Sequence, residues 1–81
     1  MITREEFDYR RIQLAYEFGR SVRNARQSRG WSIAGFARRA DVTRAEIAAI
    51  EAGTPMPPAV TARIATAAGI DAPAEGYFAT Q

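Results

Sequence analysis

Residues that begin and end helices divide this chain into one long segment and several short ones. Thr3 and Glu6 form a capping-box pattern near the start, and the first strong helix stop after them is Gly30. No proline lies between these two points. The pattern predicts one helix from about residue 4 to residue 28, with Gly19 as the position inside it that favours a bend.

Three shorter helices are expected after Gly30. Each lies between a residue that favours a helix start and one that favours a turn or a helix end: Ser32 and Asp41, Thr43 and Gly53, Pro58 and Gly69. β-Branched and aromatic residues never alternate over the length of a strand, so no strand is expected. The fold is therefore predicted to be all-α.

Apolar residues at helical spacing identify the faces that pack into a core. In the long helix one stripe contains Phe7, Leu14, Phe18 and Ala25, with Val22 beside it. In the shorter helices the expected inward-facing residues are Phe36, Ala37, Ala40, Ile47, Ile50, Val60, Ile64 and Ala68.

A second apolar stripe lies nearly opposite the first on the long helix and consists of Tyr9, Ile12 and Tyr16. A surface helix of a monomer needs only one such stripe, so the second one needs another partner. We expect an association surface, in a homodimer, because aromatic residues are enriched at interface cores. The alternative is that Tyr77 and Phe78 fold back within the chain and cover it.

Composition limits the chemistry available to the chain. Its 81 residues suffice for one domain with one small core. There are no cysteines and no histidines, which removes disulfides, thiolate ligands and the commonest general base. We therefore expect no enzyme, no metal and no cofactor. No apolar run approaches a membrane span, so a cytoplasmic protein is expected.

The net charge of +2 conceals an uneven distribution. Seven arginines and a single acid lie between Phe18 and Arg44, while the segments on either side are net acidic. A basic block on a compact fold is typical of a nucleic-acid-binding face. The alternative is a solvated surface rich in arginine.

A specific set of spacings extends over residues 18–70. It comprises Val22 to Ser32, Phe36-Ala37, Asp41-Val42-Thr43, Ile47, Ile50-Glu51, Gly53, Ile64-Ala65 and Gly69-Ile70. Together these positions resemble the Cro and phage-repressor (XRE-like) type of helix-turn-helix, a family that also includes antitoxins. The resemblance implies a lambda-repressor-like helix-turn-helix bundle of four to five helices, here with an extended N-terminal helix.

The resemblance also implies roles for particular residues. Residues 32–40 would cross the DNA backbone and residues 43–52 would form the recognition helix in the major groove. Family members pair an arginine of the first helix with the glutamate that ends the recognition helix, here Arg26 and Glu51. The expected DNA-contacting residues are Ser32, Thr43, Arg44, Ala45, Ala48, Ala49 and Thr54.

Three features depart from the family pattern. Ile33 stands where many members have a phosphate-binding glutamine, and Asp41 replaces the turn glycine. The outward positions of the recognition helix are mostly alanine, which can touch a thymine methyl group but cannot hydrogen-bond a base. Arg44 could hold a guanine or a phosphate.

Two functional interpretations follow. The first is a sequence-specific regulator, a repressor or autoregulating antitoxin, that binds double-stranded DNA as a homodimer. The second is a protein-interaction module of the same fold with weak or no base reading, whose partner could be a toxin. In either case we expect an N-terminal helical extension (1–17), a DNA-binding domain (18–70) and a C-terminal tail (71–81).

Overall fold

The structure is a computed structural model that describes residues 4–74 and 76–78. Within these residues the chain forms four helices and no strands. The helices are α1 (Arg4–Ser28), α2 (Ile33–Ala40), α3 (Arg44–Glu51) and α4 (Pro58–Ala68). The all-α prediction is confirmed, and α1 continues without interruption through Gly19. The predicted cap at Thr3 and the side chain of Phe7 lie outside the described residues.

Local capping explains where the short helices begin. The Ser32 hydroxyl oxygen accepts a hydrogen bond from Gly35 N at 3.0 Å, which starts α2. At the start of α3, Thr43 Oγ1 accepts from Glu46 N at 3.0 Å, and Glu46 Oε1 accepts from Thr43 N at 2.8 Å. This is the complete capping box that the sequence predicts. Pro58 supplies the first residue of α4.

The core lies where α1 and α2 pack against α3 and α4. Its centre consists of side chains that are fully or almost fully buried: Phe18, Val22, Phe36, Ile47, Ile50 and Ile64. All six were expected to face inward, so the periodicity argument is confirmed for the core. Leu14, Ala25 and Val60 are half-buried at its edge.

Gly19 has a packing role rather than being a weak point of α1. A Cβ atom at this position would overlap the carbonyl oxygen of Ile50, at the end of α3. Only glycine allows the two backbones to approach this closely. The helix therefore accepts the lower propensity of glycine because α3 packs directly against it.

The segment expected to be a C-terminal tail contributes to the core. Tyr77 is only 1% exposed, and its ring packs edge-on against Phe18 with centroids 5.6 Å apart. Its hydroxyl accepts a hydrogen bond from Met56 N at 3.2 Å, and its carbonyl accepts one from Arg11 Nε at 3.2 Å. Burial and three contacts hold this residue in place, although the segment contains Pro73 and Gly76.

Residues from all three expected segments contribute to one core, since Ala15 and Tyr77 are buried together with residues of the central segment. The division into residues 1–17, 18–70 and 71–81 stays a prediction about the function of each segment. None of the helices in the described part of the chain is long and apolar enough to cross a membrane.

Candidate nucleic-acid interface

α2 and α3 are joined by a three-residue turn from Asp41 to Thr43. Asp41 adopts the left-handed conformation with φ 58° and ψ 47°, where glycine is the more usual residue. Val42 N donates to Ala37 O at 3.1 Å, which closes the end of α2, and the Val42 side chain packs against the core. The turn thus keeps the expected helix-turn-helix geometry although its glycine is absent.

α3 presents one face to the core and the opposite face to solvent. Ile47 and Ile50 are 0% and 1% exposed, which fixes the rotation of the helix about its axis. As a result Arg44, Ala45 and Ala48 are exposed and Ala49 is half-buried. The outward residues predicted from the sequence do lie on the outer face, and all but Arg44 are alanine.

Hydrogen-bonding capacity on this face is concentrated at the start of α3. The Thr43 hydroxyl oxygen already accepts the capping bond, although its O–H remains able to donate. Arg44 is exposed and has no hydrogen-bond or ion-pair partner among the described residues. Its planar guanidinium is therefore available for a phosphate or for the O6 and N7 acceptors of guanine.

An open groove runs between α2 and α3 beside Arg44. It is lined by Ala34, Ala37, Arg38, Asp41, Val42 and Arg44. Arg38 and Arg44 reach this groove from the two helices of the motif, so two guanidinium groups flank it. An anionic backbone would be attracted to such a groove, although Asp41, which also lines it, reduces its positive charge.

Arg26 and Glu51 form a bidentate ion pair between α1 and α3. Arg26 Nε donates to Glu51 Oε2 at 2.7 Å and Nη2 donates to Oε1 at 2.9 Å. A third nitrogen, Nη1, donates to the carbonyl of Trp31 at 3.0 Å. The two side chains are 13% and 8% exposed. The hydrogen bonds to Glu51 raise the pKa of the Arg26 guanidinium above its usual value, against the opposing effect of burial.

This pair positions the candidate recognition helix. Glu51 ends α3, where its negative charge opposes the helix dipole, and the guanidinium compensates for that penalty. Because the same guanidinium also holds the carbonyl of Trp31, it ties the end of α3 to the loop before α2. Both helices of the motif are thereby fixed to α1.

A family model described as a helix-turn-helix domain matches residues 17–75, well over half of the chain. The chain belongs to the helix-turn-helix domain family. This confirms the resemblance carried by residues 18–70 and is consistent with the XRE-like type. No curated protein and no solved structure is significantly similar to the chain. As a member of this family, the helix-turn-helix protein is a DNA-binding regulator in the general sense.

The remaining predicted contact residues lie at the ends of the helix-turn-helix motif. Ser32 is exposed at the start of α2, where its O–H can still donate. Thr54 is exposed after α3, but its backbone N–H donates to Ala49 O at 2.9 Å and is not available to a phosphate. Ile33, at the position of the family's glutamine, packs against the core and offers no polar group.

Sequence reasoning missed two basic features of this helix-turn-helix protein. Arg38 was counted in the basic block but was not assigned to the groove that it lines. Arg39 and Arg29 lie over the ring of Trp31, with guanidinium carbons 4.5 and 5.2 Å from its centroid. The groove position of Arg38 could have been predicted from its place in α2, six residues before Arg44. The stacking on Trp31 could not, because it depends on tertiary packing and not on the spacing of residues in the sequence.

Proposed function

We propose that this protein is a transcription regulator, a repressor or autoregulating antitoxin, that binds operator DNA as a homodimer with α3 as its recognition helix. The observation that carries the proposal is the exposed, unpaired Arg44 at the start of an α3 whose opposite face is locked into the core. A rigidly held helix with a free guanidinium at its N-terminus can enter a major groove and contact a base edge.

Some exposed groups of the motif are suited to phosphate contacts and others to contacts with base edges. The hydroxyl groups of Ser32 and Thr54 and the guanidinium of Arg38 are suited to phosphate contacts, which set the position of the protein on the duplex without reading sequence. Arg44 is the one side chain on the outer face that could hold guanine through two hydrogen bonds. Ala45, Ala48 and Ala49 can contribute apolar contacts with thymine methyl groups. The expected specificity is therefore low and depends largely on Arg44.

The experiment is fluorescence anisotropy with labelled duplexes over a range of salt concentrations. Wild-type affinity should fall steeply as salt rises, because bound phosphates release counterions. Arg44→Ala should weaken operator binding and, if Arg44 reads guanine, relax the preference at one base pair by about 1–3 kcal/mol. Arg10→Ala, which removes an exposed charge from the N-terminal part of α1, is the matched control.

The results distinguish a base contact by Arg44 from a phosphate contact, and they test whether the protein binds DNA. An equal loss of affinity on all sequences would make Arg44 a phosphate contact only. A wild type without salt-sensitive binding to any duplex would refute the DNA-binding proposal.

A second candidate function is protein interaction without base reading. It is favoured by the alanine-rich outer face of α3 and by the exposure of Tyr9, Ile12 and Tyr16. An antitoxin would combine both functions, with DNA on α3 and a toxin on α1. Binding to random duplex distinguishes the two candidates, since an interaction module should show none.

The proposal needs neither a catalytic group nor a metal or cofactor, since repression requires only occupancy of the operator. It assigns association to residues 1–17 and DNA binding to residues 18–70. Residues 71–81 would close the core through Tyr77. The protein would act in the cytoplasm.

A further inference from the structure

α2 has a groove with two arginines on each of two flanks. The groove described above lies between α2 and α3 and contains Arg38 and Arg44. A second open groove lies between α2 and α4 and is lined by Arg39, Ala40, Ala62, Arg63, Thr66 and Ala67. Arg38 and Arg39 are neighbours in the sequence, but at about 100° per residue they project towards different grooves.

Trp31 connects the second groove to a third arginine. The guanidinium carbons of Arg39 and Arg29 lie 4.5 and 5.2 Å from the centroid of the Trp31 ring. The two positive charges are therefore no more than about 10 Å apart, which is about the Debye length at 0.1 M salt. An aromatic ring restrains a guanidinium without using up its N–H groups. Those of Arg39 make no hydrogen bond to another described residue and can donate to a ligand.

The three guanidinium groups form a row along α4. Arg29 lies at the end of α4, where a Cβ atom at Gly69 would be 3.0 Å from its Nη2. Arg63 lies six residues before that glycine. Arg39 lies between the two, because it shares the groove with Arg63 and the tryptophan ring with Arg29. From residue 63 to residue 69 the helix rises about 9 Å, which is the axial length of about two or three nucleotides in one DNA strand.

No carboxylate among the described residues neutralises this row. Arg29, Arg39 and Arg63 are all exposed, and none of them forms an ion pair there. Asp41 contacts Arg63 only through its backbone carbonyl, which accepts from Nη1 at 3.5 Å, and it lines the other groove. Three neighbouring positive charges without a counter-charge favour an anionic ligand.

The alternative is that these arginines only compensate helix dipoles. Arg39 belongs to the last turn of α2, and Arg29 lies beside the C-terminal end of α4, where a positive charge is favourable. A purely structural role of this kind predicts that their removal lowers stability and leaves ligand binding unchanged. The two roles are therefore separable by experiment.

The shape and lining of the groove indicate which anion it suits. The groove is open, and its remaining lining is alanine and Thr66, so it would enclose little of a small ligand. Protein interfaces are usually anchored by aromatic or long apolar side chains, and the described residues that line this groove include none. A phosphodiester backbone needs neither enclosure nor an apolar anchor, because guanidinium groups bind phosphates directly.

We propose that the groove between α2 and α4 is a second DNA-binding surface, in which Arg39, Arg63 and Arg29 hold the sugar–phosphate backbone without reading sequence. The inference rests on the proposed function for the identity of the ligand as DNA. It goes beyond that function by adding a surface that is separate from α3 and from the groove beside Arg44. This surface contributes to the binding of any duplex and not to the choice of operator.

Two double variants of the groove test the inference by fluorescence anisotropy on a duplex of mixed sequence. Arg39→Gln/Arg63→Gln removes two guanidinium groups. Ala62→Glu/Thr66→Glu keeps the arginines and adds carboxylates at two exposed positions of the same groove. Each variant should bind about tenfold more weakly or worse at low salt. The slope of log affinity against log salt should fall by about 2, since each phosphate contact contributes about 0.9.

The matched control is Arg10→Gln/Arg20→Gln. It lowers the net charge by as much as either groove variant does, but at exposed arginines of α1 that lie on the side of the helix away from the core. Its affinity and its salt slope should stay close to those of the wild type. Melting curves followed by circular dichroism establish that each variant is folded. If Arg39→Gln/Arg63→Gln does not fold, Ala62→Glu/Thr66→Glu carries the test.

Trp31 reports on the second surface directly, because it is the only tryptophan in the chain. Its ring is half-buried and lies against the guanidinium of Arg39, so a phosphate bound there should change its fluorescence emission. Duplex DNA at saturating concentration should change this emission in the wild type and in Arg44→Ala. The emission of Ala62→Glu/Thr66→Glu should respond much less.

Two results would overturn the inference and leave the proposed function intact. One is that both groove variants bind DNA as the control does while Arg44→Ala binds more weakly. The other is that Arg39→Gln/Arg63→Gln melts at a lower temperature while Ala62→Glu/Thr66→Glu keeps its full affinity, which would mean that the arginines only compensate helix dipoles. A wild type without salt-sensitive binding to any duplex would instead refute the proposed function, and this inference with it.

Discussion

Removal of the Arg26 side chain should destabilise this protein more than removal of an exposed arginine. Arg26→Ala deletes three hydrogen bonds, two to Glu51 and one to the Trp31 carbonyl. It leaves a carboxylate that is only 8% exposed without its counter-charge, at the end of a helix whose dipole disfavours it. Breaking a well-buried pair costs about 3–5 kcal/mol.

The cost expected here is smaller, because both side chains keep some contact with water and Glu51 can partly rehydrate. We therefore expect a loss of about 2–3 kcal/mol in the free energy of unfolding. For a domain of this size that corresponds to a fall of about 10–20 °C in the melting temperature. The pKa of Arg26 is higher in the folded protein than in the unfolded chain, so the stabilisation that this shift provides is fully present at any pH below the unfolded-state pKa. Titration of Arg26 should therefore not lower the stability of the protein between about pH 7 and pH 10.

The assay is thermal unfolding followed by circular dichroism, with Arg10→Ala as the control. The control removes an exposed charge from the same helix and should change stability by less than about 0.5 kcal/mol. The double variant Arg26→Met/Glu51→Leu should be far more stable than Arg26→Ala, because it leaves no unpaired buried charge. If Arg26→Ala melts within a few degrees of the control, the pair does not stabilise the fold and the reasoning is refuted.

Substitutions at three further positions test the packing and the turn by the same melting assay. Gly19→Ala should cost at least about 1–3 kcal/mol, because its Cβ would meet the Ile50 carbonyl; an unchanged melting temperature would show that α1 and α3 are less closely packed. Tyr77→Phe should cost about 1–2 kcal/mol, because it leaves Met56 N without its acceptor. Tyr77→Ala should cost about 3–5 kcal/mol, because it removes a buried ring; small effects of both substitutions would mean that the C-terminal segment is not part of the core. Asp41→Gly should raise stability by about 0.5–1 kcal/mol at its left-handed φ of 58°, and a decrease would indicate that the aspartate side chain stabilises the turn.

Most of the fold could be predicted from local signals. Capping residues predicted the starts of α2 and α3, and periodicity predicted the buried faces, because both depend on neighbours within a few residues. The resemblance predicted which arginine and which glutamate to examine, and Arg26 and Glu51 lie within hydrogen-bonding distance. The DNA-contacting roles of Arg44 and the alanines stay predictions, since exposure alone does not assign a ligand.

Capping residues, periodicity and charge are enough to define the set of helices, their apolar faces and the basic segment that contains the motif. Tertiary structure alone decided that Gly19 permits close packing on α3, that Tyr77 completes the core and that Arg38 shares a groove with Arg44. It also decided that Tyr77 packs on Phe18 and leaves Tyr9, Ile12 and Tyr16 exposed. The physical reason is that caps and periodicity act within one turn of helix. Close approach, burial of a distant aromatic ring and the sharing of a groove depend instead on how separate segments pack in space.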